Sequence, residues 1–232
     1  MAVPPTPNPR AKVQLSFLGD AFLWFGKAWK DYCLASIPII LLFGVYSYLS
    51  YLQGHMDLAA AADPERARGL LVSILKLAVP FMTLYYVLFC GMIQMGVRQV
   101  RGEQVTWKDA FNFQGTLPAT IVATLLVGLL TVAGFALCCI PALFVIAASM
   151  LTFPLVTDAR LDPFQALKLS WKTAGRQIWA CIGLMIIGTG VSAVSFYILL
   201  LGALIGIPVY ALTFALVYEE FFGRKQPGFE IG

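Results

Sequence analysis

The side chains equipped for chemistry are few, and their spacing excludes most of what they could do. His55 is the only histidine and stands near Asp57. A general base needs a group to deprotonate, and a zinc site needs three or four ligands. No second histidine and no glutamate at metalloprotease spacing accompanies it, so no catalytic or metal-binding residue is assigned. Cysteines occur at 33, 90, 138, 139 and 181, all in or beside apolar runs, where a thiol serves as a small hydrophobe. The adjacent Cys138 and Cys139 offer oxidation or a soft-metal contact, yet a pair without a second pair is an incomplete ligand set. A charged residue in mid-membrane would point most strongly to function, because hydrocarbon penalises charge. Lys76, Glu219 and Glu220 instead fall at the ends of apolar runs and read as interfacial, with stems that snorkel. The expectation is a protein that is not an enzyme and uses no cofactor.

Composition explains why so little chemistry is on offer. Of 232 residues, 59% are hydrophobic and 12% charged, and mean hydropathy is +0.81, whereas soluble domains carry about 25% charged residues. Lipid is the solvent such a chain requires. Crossing about 30 Å of hydrocarbon takes about 20 residues of helix, and six runs qualify: 33–53, 71–97, 118–138, 140–157, 178–200 and 202–222. Backbone groups in lipid must be satisfied internally, which selects helices. The expected fold is all-α, a polytopic six-helix transmembrane bundle.

Basic residues orient it. With the N-terminus cytoplasmic, the inner segments hold Arg10, Lys12, Lys27, Lys30, Arg98, Arg101, Lys108, Arg160, Lys168, Lys172, Arg176, Arg224 and Lys225, which is 13 of the 16. Arg66, Arg68 and Lys76 are left outside. That bias predicts both termini inside and attraction to anionic head groups; scattered over four segments, it argues against nucleic acid. The Pro-rich residues 1–12 read as a disordered tail without a cleavable signal. Residues 13–225 form one membrane domain, and 226–232 a C-terminal tail.

Three segments are too charged to cross and too aromatic to be linkers. GDAFLWFGKAWKDY, 19–32, puts Phe22, Trp24, Phe25, Trp29 and Tyr32 on one helical face, with Asp20, Lys27, Lys30 and Asp31 opposite. TWKDAFNFQG, 106–115, repeats this with Trp107 and Phe111 against Lys108. In LDPFQALKLSWKTAGRQI, 161–178, Asp162 caps a helix opened by Pro163. There Phe164, Leu167, Trp171, Ala174 and Ile178 make one stripe, and Lys168, Lys172 and Arg176 the other. These read as cytoplasmic-side amphipathic interfacial helices; for the first of them a solvated linker or a soluble-core helix is the alternative. The membrane-interface residues are therefore Trp24, Lys27, Trp29, Lys30, Trp107, Lys108, Lys168, Trp171, Lys172 and Arg176.

Each surface segment precedes an odd-numbered span, and each even span carries an apolar-Pro pair, at Pro80, Pro141 and Pro208. Three helical-hairpin repeats, 15–100, 104–159 and 160–224, are one reading of this pattern; chance recurrence is the other. Pro38, Pro80, Pro141, Pro154 and Pro208 bend helices or mark their ends. Gly183, Gly188, Gly190, Ser192, Gly202 and Gly206 mark expected close helix approaches.

The run from Gly134 through Ile140-Pro141, Asp158 and Ala166-Leu167-Lys168-Leu169-Ser170-Trp171 resembles the membrane domain of glycerophosphoryl diester phosphodiesterases and related bacterial six-helix membrane proteins. It covers residues 120–222 well and the first third loosely, and it departs at Pro141-Ala142, where that family commonly has Pro-Gly. The resemblance implies a fold and a bacterial inner-membrane location. It brings no phosphodiesterase, whose catalytic domain is a separate soluble unit. Two function classes follow: a lipid-interacting or scaffold module in envelope upkeep, with a protein partner or second copy, or a uniporter or permeation path for a small neutral or amphiphilic solute. The mitochondrial-carrier signature is missing.

Overall fold

The computed structural model describes the backbone of residues 5–57, 64–113, 115–137, 139–197 and 200–223, and the side chains of these except within 53–75, 136–139 and 191–202. His55, Asp57, Arg66, Arg68, Cys138, Cys139, Ser192, Gly202, Arg224, Lys225 and the tail 226–232 lie outside the described residues or side chains. Among the described residues every regular element is helical: α1 Phe17–Lys27, α2 Trp29–Asp57, α3 Pro64–Val100, α4 Leu117–Leu137, α5 Cys139–Ser149, α6 Thr152–Thr157, α7 Pro163–Ala174, α8 Ile178–Tyr197 and α9 Leu200–Phe222, with a 3-10 turn at Trp107–Phe111. Among the described residues five stretches, not the expected six, are long and apolar enough to cross a membrane: Trp29–Leu52, Lys76–Val100, Leu117–Phe135, Ile140–Thr157 and Ala203–Phe222; the expected span 178–200 falls partly outside the described side chains.

The helices run up and down, so that the starts of α2, α4 and α8 share one end of the bundle with the ends of α3, α6 and α9. Packing sorts them into an inner and an outer set. α9 packs on α1, α2, α3 and α8, and 67% of its membrane-length window is buried against 17% in α2. Apolar side chains left outside, such as Leu41, Val45, Leu129 and Val132, are what lipid would cover.

The fourth span is broken. α5 stops at Ser149 and α6 restarts at Thr152, just ahead of Pro154. Proline has no N–H to give the carbonyl four residues back, that of Met150, and its ring crowds that turn. Near the end of α5 the Ser170 hydroxyl of α7 donates to the Ala148 carbonyl at 2.6 Å. Pro38, Pro80 and Pro208 lie inside continuous helices, while Pro141 falls in the first turn of α5.

Several expectations are corrected. The first surface helix ends at Lys27, not at Tyr32, with Ala28 out of helical geometry at φ −135°. Ala28 N–H turns to the Phe25 carbonyl, which leaves the Trp24 carbonyl for Gln99 Nε2 at 2.8 Å. Trp29 to Tyr32 accordingly start the spanning helix. The second surface segment is one five-residue 3-10 turn, because Asn112 leaves helical geometry and Gly115 reverses the chain at φ 85°. The stretch ahead of α1 is not free either. Asn8 N–H caps the Phe221 carbonyl at the end of α9 at 2.8 Å, while Gln177 accepts from Val13 N–H and donates to the Ala11 carbonyl. Ala11 is buried.

Close approaches fall partly where expected. A side chain at Gly188 would strike the Tyr210 ring at 2.8 Å, whereas Gly183 and Gly190 face nothing within 4 Å. Two contacts that the sequence did not suggest are tighter or more central. A Cβ at Gly91 would land on the Ala110 carbonyl oxygen of the 3-10 turn, and one at Gly96 would meet Ala215 at 3.0 Å and Leu212 at 3.2 Å. Neither site can yield cheaply, since the first obstacle is backbone and the second a packed helix. Gly91→Val and Gly96→Val are expected to lose roughly 1–3 kcal/mol each by overpacking, read as a lower unfolding temperature in detergent, with Gly183→Ala unchanged as the control.

Candidate functional site

The polar end of the bundle is assembled around two arginines at the end of α3. Gly102, at φ 85°, closes that helix with Glu103 N–H on the Arg98 carbonyl at 3.1 Å and its own N–H on the Gln99 carbonyl at 2.9 Å. This glycine-terminated reversal satisfies the last carbonyls. Arg101 donates to both carboxylate oxygens of Asp158, at 2.7 and 2.8 Å, and to Glu219 at 2.7 Å. Tyr218 adds its hydroxyl to Asp158 at 2.8 Å. The guanidinium thereby joins α3, the end of α6 and α9. Arg98 donates to Glu103 at 2.7 Å and Asp109 at 2.6 Å, which ties the 3-10 turn to α3; the Asp31 carboxylate accepts the Trp107 N–H at 3.1 Å and ties it to α2.

Electrostatics follow from these contacts. Burial acts to lower the Arg101 pKa, but bonding to Asp158 and the charges of Asp158 and Glu219 prevail and raise it. Burial likewise pushes the Asp109 carboxyl up, yet bonds from the Thr106 backbone and hydroxyl and the charge of Arg98 carry it below the ordinary carboxylate range. In the adjoining interior Tyr32, fully buried, donates to Gln99 Oε1 at 2.8 Å, so one glutamine joins α1, α2 and α3.

Around this cluster runs a rim of exposed cations and aromatic rings. Lys27 stands over the Trp24 ring at 3.7 Å, Lys30 over Trp29 at 5.7 Å and Lys108 over Trp107 at 5.8 Å, distances at which cation–π attraction acts. Lys168, Lys172 and Arg176 are exposed. Asp162 caps α7 as its position implies, accepting Phe164 N–H at 3.1 Å. The faces of α7 number three, not two. Ala166, Ser170 and Thr173 are buried on the bundle; Phe164 and Trp171 project outward; and Lys168 and Lys172 make the third sector, with Arg176 in the 3-10 turn Gly175–Gln177 that follows. Trp171 Nε1–H reaches back to Ser149 Oγ at 2.9 Å, which fixes the ring beside the break in the fourth span. The anchoring sector was not foreseen, because small residues between two conspicuous stripes look like filler.

Deeper in the bundle lies a cavity of about 430 Å³ between α3, α4, α5, α8 and α9, lined by rings, aliphatic side chains and the hydroxyls of Tyr85, Tyr86, Thr131, Thr189 and Tyr210. Gln94 Oε1 and the Thr124 and Thr152 hydroxyls are buried without a hydrogen-bond partner among the described residues. Cys90 and Cys181 are buried free thiols, and Cys33 is half-buried. No three of His, Cys, Asp and Glu converge among the described residues. Compared with known proteins, the chain matches no family model, no curated protein and no solved structure.

Two outcomes test the cluster. Arg101→Ala strands two mostly buried carboxylates and is expected to cost about 2–3 kcal/mol, between the exposed and buried limits; Arg101→Lys, keeping charge but losing the two-pronged contact, falls between, both measured by unfolding in detergent at pH 7. Asp109 has a folded pKa below its unfolded one, so its stabilisation is complete above the unfolded pKa of about 3.9 and is lost as pH falls through the folded value. Asp109→Asn is expected to be less stable at pH 7 and to show a shallower acid decline, read from unfolding temperature against pH.

Proposed function

We propose that this chain is a non-enzymatic, multi-pass protein of the bacterial inner membrane whose polar end engages anionic lipid head groups and serves as a lipid-interacting scaffold in envelope upkeep. In this reading α8 completes six spans, both termini are cytoplasmic, and 15–100, 104–159 and 160–224 are repeated units. The inner position of α9 and the meeting of α3, α6 and α9 at Arg101 support the repeats, since they give the three even spans a common junction. The positive-inside bias supports the orientation. Likeness to the glycerophosphoryl diester phosphodiesterase membrane domain belongs to the same proposal.

The observation that carries it is the three-sector α7. One sector holds the helix to protein through Ser170 and Ala166, the second carries the exposed Phe164 and Trp171, and the third carries the exposed Lys168 and Lys172, with Arg176 following in the next turn. A helix docked on protein needs no rings outside, and a solvated helix needs no docking sector. Lipid accounts for both.

The cavity is the one feature that favours the alternative, a permeation path for a neutral solute. Toward the polar end, however, Ile93, Val97, Val156 and Val217 are fully buried, and the Arg101 cluster lies beyond them, so passage would require α3, α6 and α9 to part.

Two measurements test the proposal. Replacing Lys168, Lys172 and Arg176 together by Gln is expected to weaken retention of phosphatidylglycerol over phosphatidylcholine in nanodiscs at least about fivefold, each charge near the surface contributing about 1 kcal/mol; unchanged lipid preference would refute the head-group role. On a cysteine-free background, Lys172→Cys should resist an impermeant maleimide in intact cells and react after permeabilisation. Labelling of intact cells would reverse the topology.

A further inference from the structure

Neither Tyr85 nor Tyr86 directs its hydroxyl to another described protein group, although both line the cavity. The neighbouring polar groups are engaged: Thr131 donates to the Val127 carbonyl at 2.8 Å and Thr189 to the Tyr210 hydroxyl at 3.4 Å. Tyr85 lies nine residues along α3 from Lys76, the outer end of its span, which is about 14 Å of helix in a hydrocarbon layer of about 30 Å. Two phenols at mid-depth, where water is scarce, require a partner.

The rest of the cavity describes that partner. Among the described residues no charged side chain lines it, so an ionic group would enter without a counter-charge from them. Its volume of about 430 Å³ is in the range of small-molecule sites, about 300–1,000 Å³. The aromatic wall is set by mutual packing, with Tyr86 stacked on Phe153 at 5.9 Å and Tyr210 edge-on to Phe214 at 5.0 Å, so it is a shaped surface and not a collapsed one. Two lining residues, Leu143 of α5 and Ile186 of α8, are 42% and 54% exposed. The cavity therefore reaches the bundle surface sideways between these helices, at a level that lipid chains occupy.

We propose that this cavity is a binding site for one hydrocarbon chain of an uncharged lipid carrying a carbonyl or ether oxygen, entering laterally between α5 and α8 and accepting hydrogen bonds from Tyr85 and Tyr86. The site rests on the membrane-spanning reading above but not on the basic sector of α7. Chain burial supplies affinity, and the phenols select for an acceptor oxygen within the chain or at its end.

The probe is a long-chain monoacylglycerol bearing a mid-chain diazirine, added to the full-length protein in phosphatidylcholine nanodiscs and photolysed, with attachment sites mapped by mass spectrometry. Expected is saturable labelling of peptides from α3, α5 and α8, competed by unlabelled monoacylglycerol and exceeding that of the matching ionised fatty-acid probe. Tyr85→Phe and Tyr86→Phe, which keep the rings, should each raise the half-saturating concentration about two- to tenfold, as for loss of one hydrogen bond. Ile182→Trp, which fills the cavity, should abolish saturable labelling; if that variant aggregates, the two phenylalanine variants decide alone. Non-saturable labelling spread evenly over the outer faces of α2 and α4, or indifference to both phenylalanine substitutions, would overturn the site. The Lys168, Lys172 and Arg176 triple variant should label normally. Failure of the cavity test with phosphatidylglycerol preference intact removes this inference alone, whereas lost preference with labelling intact removes only the scaffold reading.

Discussion

One arginine holds the polar end of this bundle together. Arg101 is 34% exposed at its side chain, while the carboxylates it meets, on Asp158 and Glu219, are 21% and 14% exposed. Charges placed that close to hydrocarbon must be paired or hydrated, and here the planar guanidinium satisfies both from one position, in the geometry that arginine provides and lysine does not. Gly102, next in the chain, closes the end of α3 with a left-handed backbone, while Arg98 and Arg101 serve different partners. The junction is thus a helix-termination device as well as an ion cluster.

Packing tightens toward that junction and loosens away from it. Gly91 lets the 3-10 turn come against α3 at a distance no side chain permits, and Gly96 lets α9 approach more tightly than most side chains allow; small residues of this kind are what membrane helices use where hydrophobic driving force between them is absent. Farther along the same helices the residues become large and aromatic: Tyr85, Tyr86, Phe89, Phe153, Tyr210 and Phe214. Rings packed edge-on and offset leave gaps that aliphatic side chains would fill. A closely packed polar end and a cavity-bearing middle are therefore two outcomes of the same helices, differing in residue size.

The surface elements extend the junction sideways. α1 delivers its orphan Trp24 carbonyl to Gln99, α7 delivers Ser170 to the broken fourth span, and the 3-10 turn is held by Arg98 and Asp31. In each case a polar group exposed by a helix end or a proline is met by a side chain from a neighbour, as backbone in a poorly hydrated setting demands.

Sequence alone determined the all-helical class and most of the apolar runs of membrane length. Runs of membrane length, the Asp162-Pro163 helix start and the alternation of aromatic and basic residues are local, and local spacing reports them because helical period and bilayer thickness are fixed quantities. It also indicated, through Gly188, one true close approach. What spacing could not report is who meets whom. That Trp29 starts a span, that residues 8–13 are pinned by Phe221 and Gln177, and that Gly183 is open while Gly96 is filled all depend on partners distant in the chain. Arg101, Asp158 and Glu219 are separated by 57 and 61 positions in sequence and converge at one point. Only tertiary structure could decide this, because pairing energy falls steeply with distance and distance is set by how the helices pack.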